Sequence, residues 1–194
     1  MSSLADERAA LRSRQGAGAR HDAATAPAAD LDLARRGNAQ FARLVSGLSD
    51  PALAESSALA GQSRRQIIAR IALEARLLAT ALGALRESGT AAPALPLRPS
   101  ESEVAFTATL PSEALRHLLH HATIHLDVEW RDTTEAGWER VLRTPDGQET
   151  AVRAIPRLRA GTIWQATLDL RAGGRERDLP PALRGEIGAD QASS

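Results

Sequence analysis

The sequence predicts a mainly α-helical protein: a four-helix bundle with one small β-hairpin between its third and fourth helices. Three observations lead to this class. Alanine and leucine dominate the 43% hydrophobic content while aromatic residues make up 3%, a balance that favours helix over sheet. Four long segments repeat apolar residues every three or four positions, the spacing of one helix face. A lone Asp-Gly turn between two alternating segments is the one clear strand signal. A length of 194 residues suits one domain.

The elements follow in order. Residues 1–29 are rich in Ala, Arg, Ser and Gly and read as a mostly disordered tail, with a short helix over Leu4–Arg14 as its only regular candidate. Asp30 can cap a first helix to about Leu48, with Leu33, Gly37, Phe41, Leu44 and Leu48 on its apolar face. Ser63 opens the strongest helix, Arg64 to about Glu87, whose stripe is Ile67, Ile71, Leu78, Leu82 and Leu85, and Ser88-Gly89 closes it. Pro93, Pro96 and Pro99 mark Thr90–Ser100 as an extended linker. A third helix runs from Pro111 to about Val128 on Leu115, Leu118, Leu119, Ala122 and Leu126. Residues 140–143 and 150–153 flank Pro145-Asp146-Gly147 as a hairpin. Pro156 starts a fourth helix to about Leu170, with Leu158, Ile163, Trp164 and Leu168 available for burial, and Gly173-Gly174 ends it. A short segment from Asp178 completes a domain over 30–187, and residues 188–194 fray.

Composition removes much chemistry. All 24 basic residues are arginine, and lysine, cysteine and tyrosine are absent. A Schiff-base lysine, a P-loop lysine, a thiol nucleophile, a disulfide and an iron–sulfur cluster are therefore excluded. The 24 acidic residues bring the net charge to zero, which argues against nucleic-acid partners. No run of about 18 apolar residues is present, and the acidic N-terminus lacks the apolar core of a signal peptide. The expectation is a cytoplasmic protein with a small-molecule partner and neither a membrane nor a nucleic-acid partner.

Three segments are similar to one known family. Ala60-Gly61-Gln62-Ser63-Arg64-Arg65-Gln66-Ile67-Ile68-Ala69-Arg70-Ile71-Ala72 resembles a P-G-W-T-R-G-H-V-L-A-H-L-A helix opening. Trp138-Glu139 and Arg143 to Gln148, followed by Ala154-Ile155-Pro156-Arg157-Leu158-Arg159, resemble the hairpin and proline-led helix of the same family. Trp164 to Leu170, then Asp178-Leu179-Pro180-Pro181-Ala182, resemble its V-W-V-H-A-V-D-L and D-L-P-P-A segments. Together they identify a relative of the mycothiol-dependent maleylpyruvate isomerase family, within the DinB-like four-helix-bundle group.

The resemblance implies a divalent metal, usually zinc, held by a His on helix two and by a Glu and a His one turn apart on helix four, with mycothiol as the thiol cofactor. The helix-two positions fall on Gln66 and Arg70, and the helix-four pair on Thr162 and Ala166. No histidine lies within 64–86 or 156–170. The expectation is a degenerate member that keeps the fold, has lost the metal site and uses no cofactor. It would act on or bind a small carboxylate or thiol-linked metabolite, as an isomerase or thiol-transferase-like enzyme; the alternative is a non-catalytic ligand- or protein-binding bundle.

Arg70 could hold a substrate anion where the metal stands in the family, or pair locally with Glu74 or reach solvent. Gln66, Thr162 and Gln165 could add polar groups to the same cavity, or be satisfied within their own helix. Arg157, Arg159 and Asp169 match positions recurring in the family segment: one of the arginines could bind a carboxylate, or a structural pair, such as Arg159 with an acidic neighbour, could fix helix four. Of His117, His120, His121 and His125, the first two lie well away from the apolar stripe of helix three and His125 at its flank, so the group reads as an exposed face, with a displaced metal site at His117 and His121 as the alternative. Trp130, Trp138 and Trp164 read as anchors with paired indole N–H groups.

Overall fold

The computed structural model describes residues 21–88 and 93–191. Four long helices form the bundle: α1 (Ala28–Ser46), α3 (Arg64–Glu87), α5 (Ser112–Asp132) and α7 (Ile155–Asp169). Short helices α2 (Asp50–Leu53), α4 (Glu101–Thr107) and α6 (Glu135–Trp138) turn the chain between them, and α8 (Pro181–Gln191) follows the bundle. α3 packs most closely on α5 and α1 on α7, while α1–α5 and α3–α7 contacts close the ring. Among the described residues no helix is long and apolar enough to cross a membrane.

The helical stripes fill one core. Phe41, Ile67, Ile71, Leu78, Leu82, Leu85, Leu115, Leu119, Leu126 and Ile163 are all buried in it. α3 begins as the sequence predicts, because Ser63 and Gln66 form a reciprocal capping box: the Ser63 backbone N–H donates to Gln66 Oε1 at 2.8 Å. α1 starts earlier than expected, at Ala28, so Asp30 lies in its first turn, where its charge suits the helix dipole, and is not the cap. α5 runs on to Asp132, four residues beyond the expected end, because Glu129 and Trp130 are buried and continue its inner face.

Residues 1–20, with the Leu4–Arg14 candidate helix, and Gly89 lie outside the described residues. Within the expected tail, Ala23 and Ala26 pack against the core, and the Asp22 carboxylate accepts from Arg35 Nη1 at 2.6 Å.

The described part of the expected 90–100 linker carries no helix or strand, and α4, which the sequence did not announce, follows it. Ser100 caps α4, with Glu103 completing a second capping box. Leu95 N–H donates to the Arg143 carbonyl at 3.0 Å, which lays the remaining linker along the hairpin. The hairpin pairs β1 (Val141–Arg143) with β2 (Glu149–Ala151) in antiparallel register, Leu142 opposite Thr150. Gly147 at φ +86° supplies the left-handed turn position. Residues 152–154 form a 3₁₀ turn into α7 in place of the expected extension of the second strand.

Leu158 is the core expectation that fails. It is 54% exposed, because α7 turns Ile155, Arg159 and Ile163 inward. The three tryptophans are buried, but only Trp164 has its indole paired, donating from Nε1 to the Leu33 carbonyl at 3.0 Å. Trp130 and Trp138 are held by packing, and their Nε1 atoms have no acceptor among the described residues.

α1 and α7 approach closely at Gly37. A Cβ there would lie 2.4 Å from Ile163 Cγ2 and 2.9 Å from Trp164 Nε1. Gly37→Ala should therefore lower stability by about 1–3 kcal/mol, the usual cost of overpacking, despite alanine's better helix propensity. Urea denaturation reads this directly; an unchanged midpoint would show that the two helices can separate at no cost.

Candidate functional site

The four positions at which the family resemblance expects metal ligands are all occupied otherwise. Gln66 Oε1 accepts from Ser63 at the helix cap. Arg70 donates from Nη1 and Nη2 to the two carboxylate oxygens of Glu101 at 2.6 and 3.1 Å, and from Nη2 to Gln62 Oε1 at 3.0 Å. Its partner is therefore on α4, across the bundle edge, and not Glu74 one turn along its own helix. Thr162 Oγ1 donates to the Leu158 carbonyl at 3.2 Å. Ala166 has no donor atom and is buried. A guanidinium has no lone pair to offer a metal, and an amide and a hydroxyl already bonded locally are poor zinc ligands. This donor set does not fit the metal. Among the described residues no three His, Asp or Glu side chains form a group able to hold one.

The polar centre of the bundle lies at a different place. Arg159 on α7 is fully buried and donates from Nη1 to Glu74 Oε2 on α3 at 2.9 Å. Its Nη2 reaches Asn38 Oδ1 on α1 at 3.4 Å, and its Nε has no acceptor among the described residues. Burial pulls the Arg159 pKa down, more strongly than the charge and hydrogen bond of Glu74 hold it up. The pair lines a cavity of about 390 Å³ between α3, α7, the 96–98 linker and the hairpin. Leu78, Leu97, Ile155 and Leu158 give this cavity an apolar wall, and Arg98 and Asp146 stand at its exposed rim. Thr144 donates to the Asp146 carboxylate, which holds that acid below its ordinary pKa. Arg70, Gln66 and Thr162 do not line the cavity.

Along with Asn38, Glu74 is a member of this centre that sequence reading missed. Its i,i+4 spacing from Arg70 suggests a local pair, yet its side chain turns inward. The available signal was its place between Ile71 and Leu78 on the apolar stripe, where a carboxylate needs a buried partner.

The other candidates are separate. On α7, Gln165 Nε2 donates to Asp169 Oδ1 at 2.7 Å, and burial raises the Asp169 pKa above its ordinary value. Arg157 bonds the Ala182 carbonyl and Glu186, tying α7 to α8. His117, His120, His121 and His125 are exposed; the rings of His117 and His121 stack at 6.2 Å, and His117 lies 3.6 Å from Glu113.

Helix order, ring packing and the hairpin ahead of the last bundle helix define a DinB-like four-helix bundle. Residues 34–171 match the family described as the mycothiol maleylpyruvate isomerase N-terminal domain, and the chain belongs to this family. Two crystal structures of the mycothiol-dependent maleylpyruvate isomerase, one of them a point mutant, are 28% identical over 81% of this chain, with TM-scores of 0.73 and 0.72. The chain spans 65% of the length of that isomerase. YfiT from Bacillus subtilis, a probable metal-dependent hydrolase with an unusual four-helix bundle topology, superposes with a TM-score of 0.56 at 16% identity. It covers 86% of this chain and 87% of its own, and at that identity it supports the fold alone. Comparison with curated proteins gives no match.

Two measurements test the electrostatics. Glu74→Gln leaves a buried guanidinium without its counter-charge and should cost about 3–5 kcal/mol in urea denaturation, whereas the double replacement Glu74→Leu with Arg159→Met should recover most of that. Equal losses in both variants would show that the charges do not act as a pair. For Asp169, the folded acid keeps its proton to higher pH than the unfolded one, whose ordinary value is 3.8. Its contribution is thus full below that value and is lost as pH rises through the raised one. The melting temperature of Asp169→Asn should gain on that of the parent as pH rises from about 3 to 7; a constant difference would contradict the shift.

Proposed function

We propose that this chain is a metal-free member of its family that binds a small carboxylate or thiol-linked metabolite in the cytoplasm. The observation that carries the reading is the replacement of the ligand positions by Gln66, Arg70, Thr162 and Ala166, three of them hydrogen-bonded elsewhere and the fourth without a donor. A metal supplies Lewis-acid and thiol-activating chemistry, and arginine can replace only its charge. Isomerisation by a metal-bound thiol therefore has no support in these residues. What the bundle retains is a buried cation, Arg159, beside a cavity large enough for a small molecule. If there is turnover, it is isomerase or thiol-transferase-like chemistry on a ligand held by arginine; without it, the chain is a binding protein on the same scaffold.

Purified protein should hold well under one zinc per chain, and a chelator should leave its melting temperature unchanged. Zinc at one per chain would sink the reading and redirect attention to His117 and His121. A thermal-shift screen of small thiols and carboxylates should reveal a ligand, since saturation at about a hundred times Kd stabilises by about 2.7 kcal/mol.

A further inference from the structure

We propose that the cavity beside Leu158 is a binding site for a small primary amine with an apolar body, its ammonium group taken by the Glu74 carboxylate at the cavity floor. The proposal rests on the small-molecule reading above and goes further. The ligand carries an amine, which enters first, while any acid or thiol end stays at the mouth beside Arg98.

The charge that reaches the floor is negative. Glu74 and Arg159 form one ion pair, but its acid is the member with a face toward the cavity. The Glu74 side chain is 10% exposed and lines the cavity, whereas Arg159 is 0% exposed. Glu74 Oε2 accepts from Arg159 Nη1 at 2.9 Å. No hydrogen bond reaches Oε1 from the described residues, and Oε1 is not among the fully enclosed unpaired atoms. It therefore keeps free lone pairs on a surface that a ligand can touch. An ionised carboxylate only accepts, so it selects a donor and repels an anion. An ammonium brings several donors and a charge, and a charge-assisted bond is about twice as strong as a neutral one. The carboxylate then bridges two cations, one on each oxygen.

The surroundings fit the rest of such a ligand. Asp146 stands exposed at the rim, on the hairpin turn, and adds a second negative charge to the way in. Arg98 is exposed at the same rim. Its charge opposes an amine only through solvent, where it is screened, and it suits an acid group at the outer end of a ligand. Leu78, Leu97 and Ile155 line the wall, and Leu158 is 54% exposed there. An apolar body covering Leu158 would recover the burial that the bundle does not give it. A volume of about 390 Å³ is at the small end of ligand sites and holds a single ring or a short chain.

The test compares benzylamine, protonated at neutral pH, with benzyl alcohol and benzoate on the parent protein. Nuclear magnetic resonance follows the methyl groups of Leu78 and Ile155 and the side-chain carboxyl carbon of Glu74. Benzylamine should shift all three saturably and bind at least about fivefold tighter than benzyl alcohol, the gain of a charge-assisted over a neutral hydrogen bond. Benzoate should bind more weakly than either. Asp146→Asn should weaken benzylamine by about two- to fivefold and Arg98→Gln should strengthen it on the same scale, that of exposed charges. The hairpin turn tolerates the first change, since Asn-Gly suits it as well as Asp-Gly. Leu158→Trp should weaken benzylamine by about tenfold or more by filling the cavity. Melting temperatures of the three variants separate effects on the site from effects on folding, and the comparison of ligands needs no variant. Benzyl alcohol or benzoate binding as tightly as benzylamine, a Glu74 carboxyl carbon unmoved at saturation, or a folded Arg98→Gln protein that binds benzylamine more weakly would each overturn the proposal. Stoichiometric zinc would defeat the metal-free reading and leave this site standing; absent benzylamine binding would defeat this site and leave the metal-free reading intact.

Discussion

The buried contact between Arg159 and Glu74 is the constraint around which the rest of the bundle is arranged. It crosses from α7 to α3, and through Asn38 it reaches α1, so three of the four long helices meet at one guanidinium. A buried ion pair gives little net stability over an apolar core, but losing one partner is costly. The pair therefore fixes how α7 sits on α3 more than it strengthens the fold. The same placement puts a charged group at the edge of an otherwise apolar interior, where the hairpin and the 96–98 segment leave a cavity above it.

The arginine-only composition has an architectural counterpart. Arg64 at the start of α3 donates to the carbonyls of Ala52, Leu170 and Arg171, at 2.9, 2.9 and 2.8 Å, and so ties that helix to the end of α7. Arg65 reaches the Ala108 and Leu110 carbonyls in the turn before α5. Arg116 holds the Leu48 carbonyl after α1, and Arg140 holds the Leu85 carbonyl near the end of α3. Helix ends leave carbonyls without intrahelical donors, and a forked guanidinium can serve several at once where an ammonium would act as a point charge. Several of the chain's arginines are thereby engaged in holding helix ends together, whereas Arg159 is spent inside the bundle on Glu74 and Asn38.

Much of the fold was legible before the structure, and little of the site was. Apolar spacing placed α3 to the residue and the other three long helices to within a few positions, because a core-facing stripe is a local signal. α4 was missed although Ser100 and Glu103 carry a capping-box spacing, since its 7 residues are too few to show an apolar stripe. That omission hid Glu101, the partner of Arg70, 31 residues away. Glu74 looked like a neighbour of Arg70 on a helix face, but its partner lies 85 residues on. Local spacing ranks the pairs that a helix could make, while tertiary packing decides which carboxylate is buried and must take a cation.

The sequence by itself determined the helical class, the register of the stripes and the residues at the four positions where the family resemblance expects metal ligands, since each depends on residue identity and short-range periodicity. Only the tertiary structure decided that Arg70 turns outward to Glu101, that Arg159 takes Glu74 and Asn38, that Leu158 stays exposed, and that a cavity opens beside Glu74 and Leu158. Those outcomes depend on which helix faces meet across the bundle. A buried charge is tolerated only where that meeting supplies its partner.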